Sequence, residues 1–136
     1  DEESVCLGDI FTLGESIVQV SQPRSPCWKI ARRWRVKSLS LWVQQTGFTG
    51  WYLRVMQPGL VEAGQGLQLA ERPFPEWTIA YVNKIRYGQT TDPAACAALA
   101  TCDTLTKGWR QRFQALSTLN ADESADESAR LVGNNT

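Results

Sequence analysis

A single thiol set between two prolines, two cations and an indole is the arrangement in this chain best suited to chemistry. It lies in the run Ser21-Gln22-Pro23-Arg24-Ser25-Pro26-Cys27-Trp28-Lys29-Ile30. Each proline fixes its own φ, removes a backbone donor and pushes the preceding residue toward extended geometry, so the run can be neither helix interior nor central strand. It reads as a stiff loop that presents Cys27. Neighbouring cations such as Arg24 and Lys29 favour a thiolate, the form that acts as nucleophile or soft-metal ligand. The plainer alternative, a small buried hydrophobe, is the usual fate of a free cysteine.

The other three cysteines, Cys6, Cys96 and Cys102, form no Cys-x-x-Cys pair, and the sequence contains no histidine. Both facts argue against a zinc site. Cys96 and Cys102 read as packing residues in and just beyond an Ala-rich helix. The formal charge of zero hides a segregation. No acidic residue occurs between Glu15 and Glu62, while Arg24, Lys29, Arg32, Arg33, Arg35, Lys37 and Arg54 fall in that interval. A basic stretch of this kind points to an anionic partner: a phosphate, a nucleic acid or an acidic protein surface. No run of about 18 apolar residues and no signal-like segment occurs, which reads as a soluble, cytoplasmic chain with reduced thiols.

The elements that must hold Cys27 follow from periodicity. Residues 1–5 read as a frayed acidic end. Gly8 to Val20 reads as a hairpin turning at Gly14-Glu15, whose second arm runs straight into the proline loop. Val36, Leu39, Trp42 and Val43 recur at helical spacing up to Thr46, with Gly47 as the stop, and Trp34 and Trp42 are expected in the core. Ile30 to Trp34 carries too many cations for a buried strand. Gly50 to Met56 predicts a strand ended by Pro58-Gly59, with shorter strands at Leu60–Glu62 and Leu67–Ala70. Trp51 and Tyr52 on the first of these are candidates to stack planar substrates, which is worth about 1–3 kcal/mol per ring, or else to pack in the core. Beyond Arg72-Pro73-Phe74-Pro75 come three helices: one through Trp77, Tyr81 and Ile85, one from Asp92-Pro93 to about Ala100, and one from Thr104 to Leu116. The tandem Asp-Glu-Ser tail should be disordered.

Gly8-Asp9-Ile10-Phe11, Val20 to Lys29, Thr46-Gly47 and Gly50-Trp51-Tyr52 together resemble the MOSC-domain family, in its YiiM-like branch. The resemblance spans about Val5 to Leu116 and rests most firmly on the Gln-Pro-Arg-Ser-Pro-Cys run. It implies an α+β chain: part of a bent β-barrel in residues 1–72, a three-helix module in residues 73–118 and an acidic tail in residues 119–136. It also implies binding of the molybdenum cofactor (molybdopterin) with Cys27 as metal ligand, and reduction of N-hydroxylated compounds such as hydroxylamine-type bases. Arg24 and Lys29 are then the cofactor-side candidates, and Trp51 and Tyr52 the substrate-side ones. No flavin or nicotinamide fingerprint is present, so electrons would come from a separate reductase. Family members carry a further barrel segment ahead of the part matched here. Unpaired strand edges without it predict self-association. The competing readings are a non-enzymatic binding or dimerisation module, or a persulfide carrier using Cys27. Nucleic-acid binding through the basic span is the weakest of these.

Overall fold

The structure is a computed structural model describing residues 1–118 and residue 131. The expected disorder of the tail lies outside the described residues, apart from Leu131, whose carbonyl accepts a hydrogen bond from Ser40 Oγ at 2.9 Å. The fold is α+β. β1 (Ile10–Leu13), β2 (Ser16–Pro23), β3 (Trp51–Gln57) and β4 (Leu67–Glu71) form an antiparallel sheet in the order β3-β2-β1-β4. α1 (Trp28–Trp34) and α2 (Leu39–Thr46) lie between β2 and β3, and α3 (Ile79–Arg86), α4 (Pro93–Ala100) and α5 (Lys107–Thr118) follow the sheet. The sheet does not close into a barrel. Its edges are β3 and β4.

Alternation sets the register. Phe11 pairs with Val18 on one side and Leu69 on the other, Val18 with Val55, Val20 with Leu53, and Leu13 with Leu67. Paired residues share a face, so one side of the sheet carries an apolar row across all four strands. Its centre is covered: Phe11, Val18 and Val20 are buried with Ile79 of α3, flanked by Val5 and Trp51. Its flanks are open, with Leu53, Val55, Leu67 and Leu69 exposed.

The helices after the sheet build a second core from Val82, Ile85, Cys96, Leu99, Cys102, Leu105, Trp109 and Phe113. Leu7 of the N-terminal segment inserts into it, fully buried, and its N–H donates to the Trp77 carbonyl at 2.8 Å. Local signals start these helices as expected. Asp92 caps α4 by accepting from Ala95 N, with proline at N1, and Thr78 caps α3 by accepting from Tyr81 N.

Four expectations need correction. Residues 1–5 are held rather than frayed: Ala80 N donates to Glu2 O, Ile79 N to Val5 O and Gly50 N to Glu2 Oε1. Leu60–Glu62 is not a strand. Leu60 N donates to Glu15 Oε2 and Glu62 N to Gln65 Oε1, so side chains tie this segment into a turn instead of a ladder. The run Ser21–Ile30 is loop only in its middle: Ser21 to Pro23 belong to β2, an inner strand of the sheet, and Trp28 to Ile30 open α1, in which no residue is buried. Trp34 and Trp42 are 67% and 53% exposed, not core: helical spacing marks a face, and among the described residues nothing covers the faces of α1 and α2 that carry them, Ser40 being the one buried residue of the two helices.

Candidate functional site

Strand β2 ends at Pro23, which pairs with Trp51 of β3, and the ladder continues one step further where Arg24 N donates to the Gly50 carbonyl at 2.9 Å. Pro23 and Pro26 are both fully buried, so the loop between them is pinned at two points by rings that also fix φ. Cys27 follows with extended backbone, φ −146° and ψ 165°, as the N-cap residue of α1, and Ile30 N donates to its carbonyl at 3.2 Å. Its side chain makes no capping hydrogen bond. The thiol is therefore held on a fixed backbone without being committed to a structural role.

The thiols differ in accessibility. Cys6, Cys96 and Cys102 are 1%, 5% and 7% exposed, whereas Cys27 is half-buried, and all four are free. Burial pushes the Cys6 and Cys96 thiols above their ordinary range, because a thiolate there would lose its hydration. Arg24 is half-buried beside the loop and Lys29 is exposed on the first turn of α1. Cys27, Arg24 and Lys29 thus belong to one short loop-to-helix junction. Trp51 stands next to this junction through its pairing with Pro23, but it also packs against the sheet core. Tyr52 is 51% exposed, pairs with Gln22 and accepts at its carbonyl from Ser21 Oγ. As neighbours on a strand, Trp51 and Tyr52 point to opposite faces, so they do not line one wall together.

Sequence reasoning missed the groups that brace the junction. The Gly50 carbonyl that receives Arg24 N sits in a loop held from three sides. Glu2 Oε1 accepts from Gly50 N at 2.8 Å, Thr49 Oγ1 donates to Gly50 O at 2.8 Å, and the buried Asn83 of α3 donates from Nδ2 to Thr49 Oγ1 at 2.9 Å and to Gly47 O at 3.2 Å. Gly47 itself closes α2 in the left-handed region at φ 76°, which favours glycine. The one signal in the sequence was Asn83, a polar residue inside the apolar stripe of α3.

A second missed feature is the pair of Asp9 and Arg72. Asp9 is fully buried, and Arg72 meets it with two hydrogen bonds, Nε to Oδ1 at 2.9 Å and Nη2 to Oδ2 at 2.6 Å. Cys6 N also donates to Asp9 Oδ2 at 2.9 Å, and Arg72 Nη2 to the Ser4 carbonyl at 2.9 Å. The hydrogen bond to Asp9 holds the Arg72 guanidinium above even its usual high range. This fork ties the entry of β1 to the exit of β4, and Asp9 also meets β2 through its backbone, Val20 N donating to the Asp9 carbonyl at 2.8 Å.

Comparison with known proteins agrees with this layout. The MOSC domain model matches residues 1–68, and the model for the YiiM-like, 3-alpha helix domain matches residues 77–116. The uncharacterized protein YflK of Bacillus subtilis is 42% identical over 112 residues, 82% of this chain and 51% of its own length. A protein named Reductase from Gibberella moniliformis is 36% identical over 85 residues, 62% of this chain and 15% of its own length. YiiM of Escherichia coli is 34% identical over 113 residues, 83% of this chain and 50% of its own. Its crystal structure superposes with a TM-score of 0.82 over 97% of this chain and 64% of that one. The chain spans about half the length of YflK and YiiM. It belongs to the MOSC-domain family, with a YiiM-like three-helix domain following the MOSC part.

Proposed function

We propose that this chain supplies the protein thiolate of a molybdenum-cofactor site that reduces N-hydroxylated compounds, hydroxylamine-type bases among them. The observation that carries this reading is Cys27 itself: an accessible thiol on a loop pinned by two buried prolines, in a chain whose other thiols are buried. A thiolate is a natural ligand for a soft metal centre. Among the described residues no group of three or more His, Cys, Asp or Glu side chains could hold a metal ion alone. One thiolate therefore fits a metal whose other ligands arrive with an organic cofactor. Arg24 and Lys29 suit a phosphate-bearing cofactor through charge-assisted hydrogen bonds, and family membership together with a relative named Reductase supports a redox role.

When bound, the cofactor supplies two-electron redox chemistry: R–NHOH + 2 e⁻ + 2 H⁺ gives R–NH2 and H2O, with the N–O bond broken. The chain's own contribution is positional. Pro23, Pro26 and the Gly50 network fix the thiol, Arg24 and Lys29 offer positive charge beside it, and Trp51 or Tyr52 offers a ring for a planar base. Electrons come from a separate reductase.

The test is expression of the family-length protein with cofactor supply. Cys27→Ser should abolish N-hydroxylamine reduction and lower bound molybdenum, since a hydroxyl stays protonated and is a poor soft-metal ligand. Arg24→Ala should weaken cofactor retention without eliminating it, because one charge-assisted contact is worth about 1.5–3 kcal/mol. Full metal and full activity in Cys27→Ser would make the loop structural and leave a non-enzymatic binding module as the better reading.

A further inference from the structure

Asn83 breaks the apolar face of α3. Ile79, Ala80, Val82 and Ile85 are the other buried residues of that helix, and Asn83 is buried with them at 2% exposure. Its Nδ2 donates to Thr49 Oγ1 and to the Gly47 carbonyl, while Oδ1 is buried with no partner among the described residues. A buried acceptor left unsatisfied costs stability, so packing alone does not account for an amide here. The amide instead directs a chain of donors. Nδ2 can only donate, so the Thr49 hydroxyl accepts from it and turns its own proton to the Gly50 carbonyl, which also takes the Arg24 N–H. The chain runs from α3 to the residue after Pro23, three positions before Cys27.

A second contact holds the start of the same loop. Gln22, the residue before Pro23, accepts at Oε1 from Thr106 Oγ1 at 2.7 Å and from Thr106 N at 3.4 Å. A backbone N–H is a donor only, which fixes the amide with its oxygen toward Thr106. Thr106 immediately precedes α5, and the Thr104 carbonyl in the same turn accepts from Arg54 Nη2 of β3 at 3.1 Å. Asn83 and Thr106 belong to the three-helix module, whereas Gln22, Arg24 and Gly50 belong to the sheet domain. Both contacts therefore cross the domain boundary, and they end on the two residues that flank Pro23.

We propose that the three-helix module sets the position of the Cys27 thiol relative to the cations beside it, with Asn83 and Thr106 as the positioning residues. The inference rests on the reading of Cys27 as the working thiol. Two prolines stiffen the loop by restricting φ, but stiffness does not fix where a loop sits on the end of its strand. Anchors on either side of Pro23 do. Such anchoring matters for a group that must meet a bound centre, since a misplacement of about 1 Å can cost about 10²-fold in rate. Both residues act through the loop backbone.

Mass-mapped labelling of the full chain without cofactor tests the proposal, using an anionic aromatic disulfide and neutral iodoacetamide. The ratio of the two Cys27 rates, each divided by that of free cysteine, reports the positive charge that the thiol meets. Wild type should favour the anionic reagent by about threefold or more, the Coulomb factor for one cation about 7 Å away in water. Asn83→Ala and Thr106→Val should each bring the ratio toward one. Thr106→Ser and Thr49→Ser keep the hydroxyl and should keep the wild-type ratio. Adding Thr49→Val to Asn83→Ala should lower it no further, because both cut one chain. Leu99→Ala opens a cavity in the helix core away from both anchors, so it should lower stability and leave the ratio unchanged. Thr106 is exposed, so Thr106→Val decides the matter if Asn83→Ala does not fold. The proposal is overturned if wild type shows no preference, if Asn83→Ala and Thr106→Val keep the wild-type ratio, or if Leu99→Ala shifts it as much as they do. No cofactor takes part in this measurement: full metal in Cys27→Ser would sink the functional reading and leave positioning intact, and an unshifted ratio would do the reverse.

Discussion

Removing either member of the Asp9–Arg72 pair should destabilise the fold, and by unequal amounts. Asp9 is completely buried, while the Arg72 side chain is 33% exposed. In Arg72→Leu the carboxylate stays in the interior facing a single remaining donor, the Cys6 N–H. Breaking a buried pair so that one charge is left without its partner costs about 3–5 kcal/mol. In Asp9→Asn the amide oxygen can still accept from Cys6 N, and the guanidinium, already partly in water, keeps its bond to the Ser4 carbonyl. That loss is the ordinary one for a charged hydrogen bond, about 1.5–3 kcal/mol. Urea unfolding followed by tryptophan fluorescence reads both values. With a slope of about 2 kcal/mol/M, the midpoint should fall by about 2 M in Arg72→Leu and by about 0.7–1.5 M in Asp9→Asn. The double variant should be no less stable than Arg72→Leu alone, because it removes the stranded charge. Equal costs for the two single variants, or the reverse order, would refute the assignment of Asp9 as the desolvated partner.

Three further outcomes follow from the same structure. Mass-mapped labelling by a thiol reagent at neutral pH should modify Cys27 first, ahead of the buried Cys6, Cys96 and Cys102, and faster labelling of Cys96 or Cys102 would contradict the loop geometry. Asp92 is held below the usual carboxylate range, first by the hydrogen bond from Ala95 N and then by that from the Tyr81 hydroxyl, so its stabilising contribution is present above the unfolded-state value near 4 and is lost as pH falls through the lower folded value. Asp92→Asn keeps the N-cap acceptor, so its midpoint should drop less than that of wild type between about pH 5 and pH 2. The exposed Leu53, Val55, Leu67 and Leu69 on the edge strands should make the chain self-associate, as light scattering at micromolar concentration would show, and Val55→Lys should reduce that association.

What the sequence disclosed was local, and what it concealed was held over long separations. The hairpin followed from alternation around Gly14, the end of α2 from Gly47, and the start of α4 from Asp92-Pro93, each readable within a few residues. The proline-cysteine loop was legible because two prolines leave a chain few conformations. The bracing of that loop was not: Glu2 reaches Gly50 across 48 residues, and Asn83 reaches Thr49 across 34. Asp9 and Arg72 are 63 residues apart. Trp34 and Trp42 were misplaced because helical spacing of apolar residues specifies a face but not whether anything covers it. Among the described residues nothing covers the faces of α1 and α2 that carry them, and Ser40 is the one buried residue of the two helices.

Ligation of molybdenum by Cys27 is tested most directly by X-ray absorption at the molybdenum edge on the loaded family-length protein and its Cys27→Ser variant. Loss of one sulfur neighbour from the metal in the variant, with the protein still folded, is the expected result. An unchanged count of sulfur neighbours would show that Cys27 does not bind the metal.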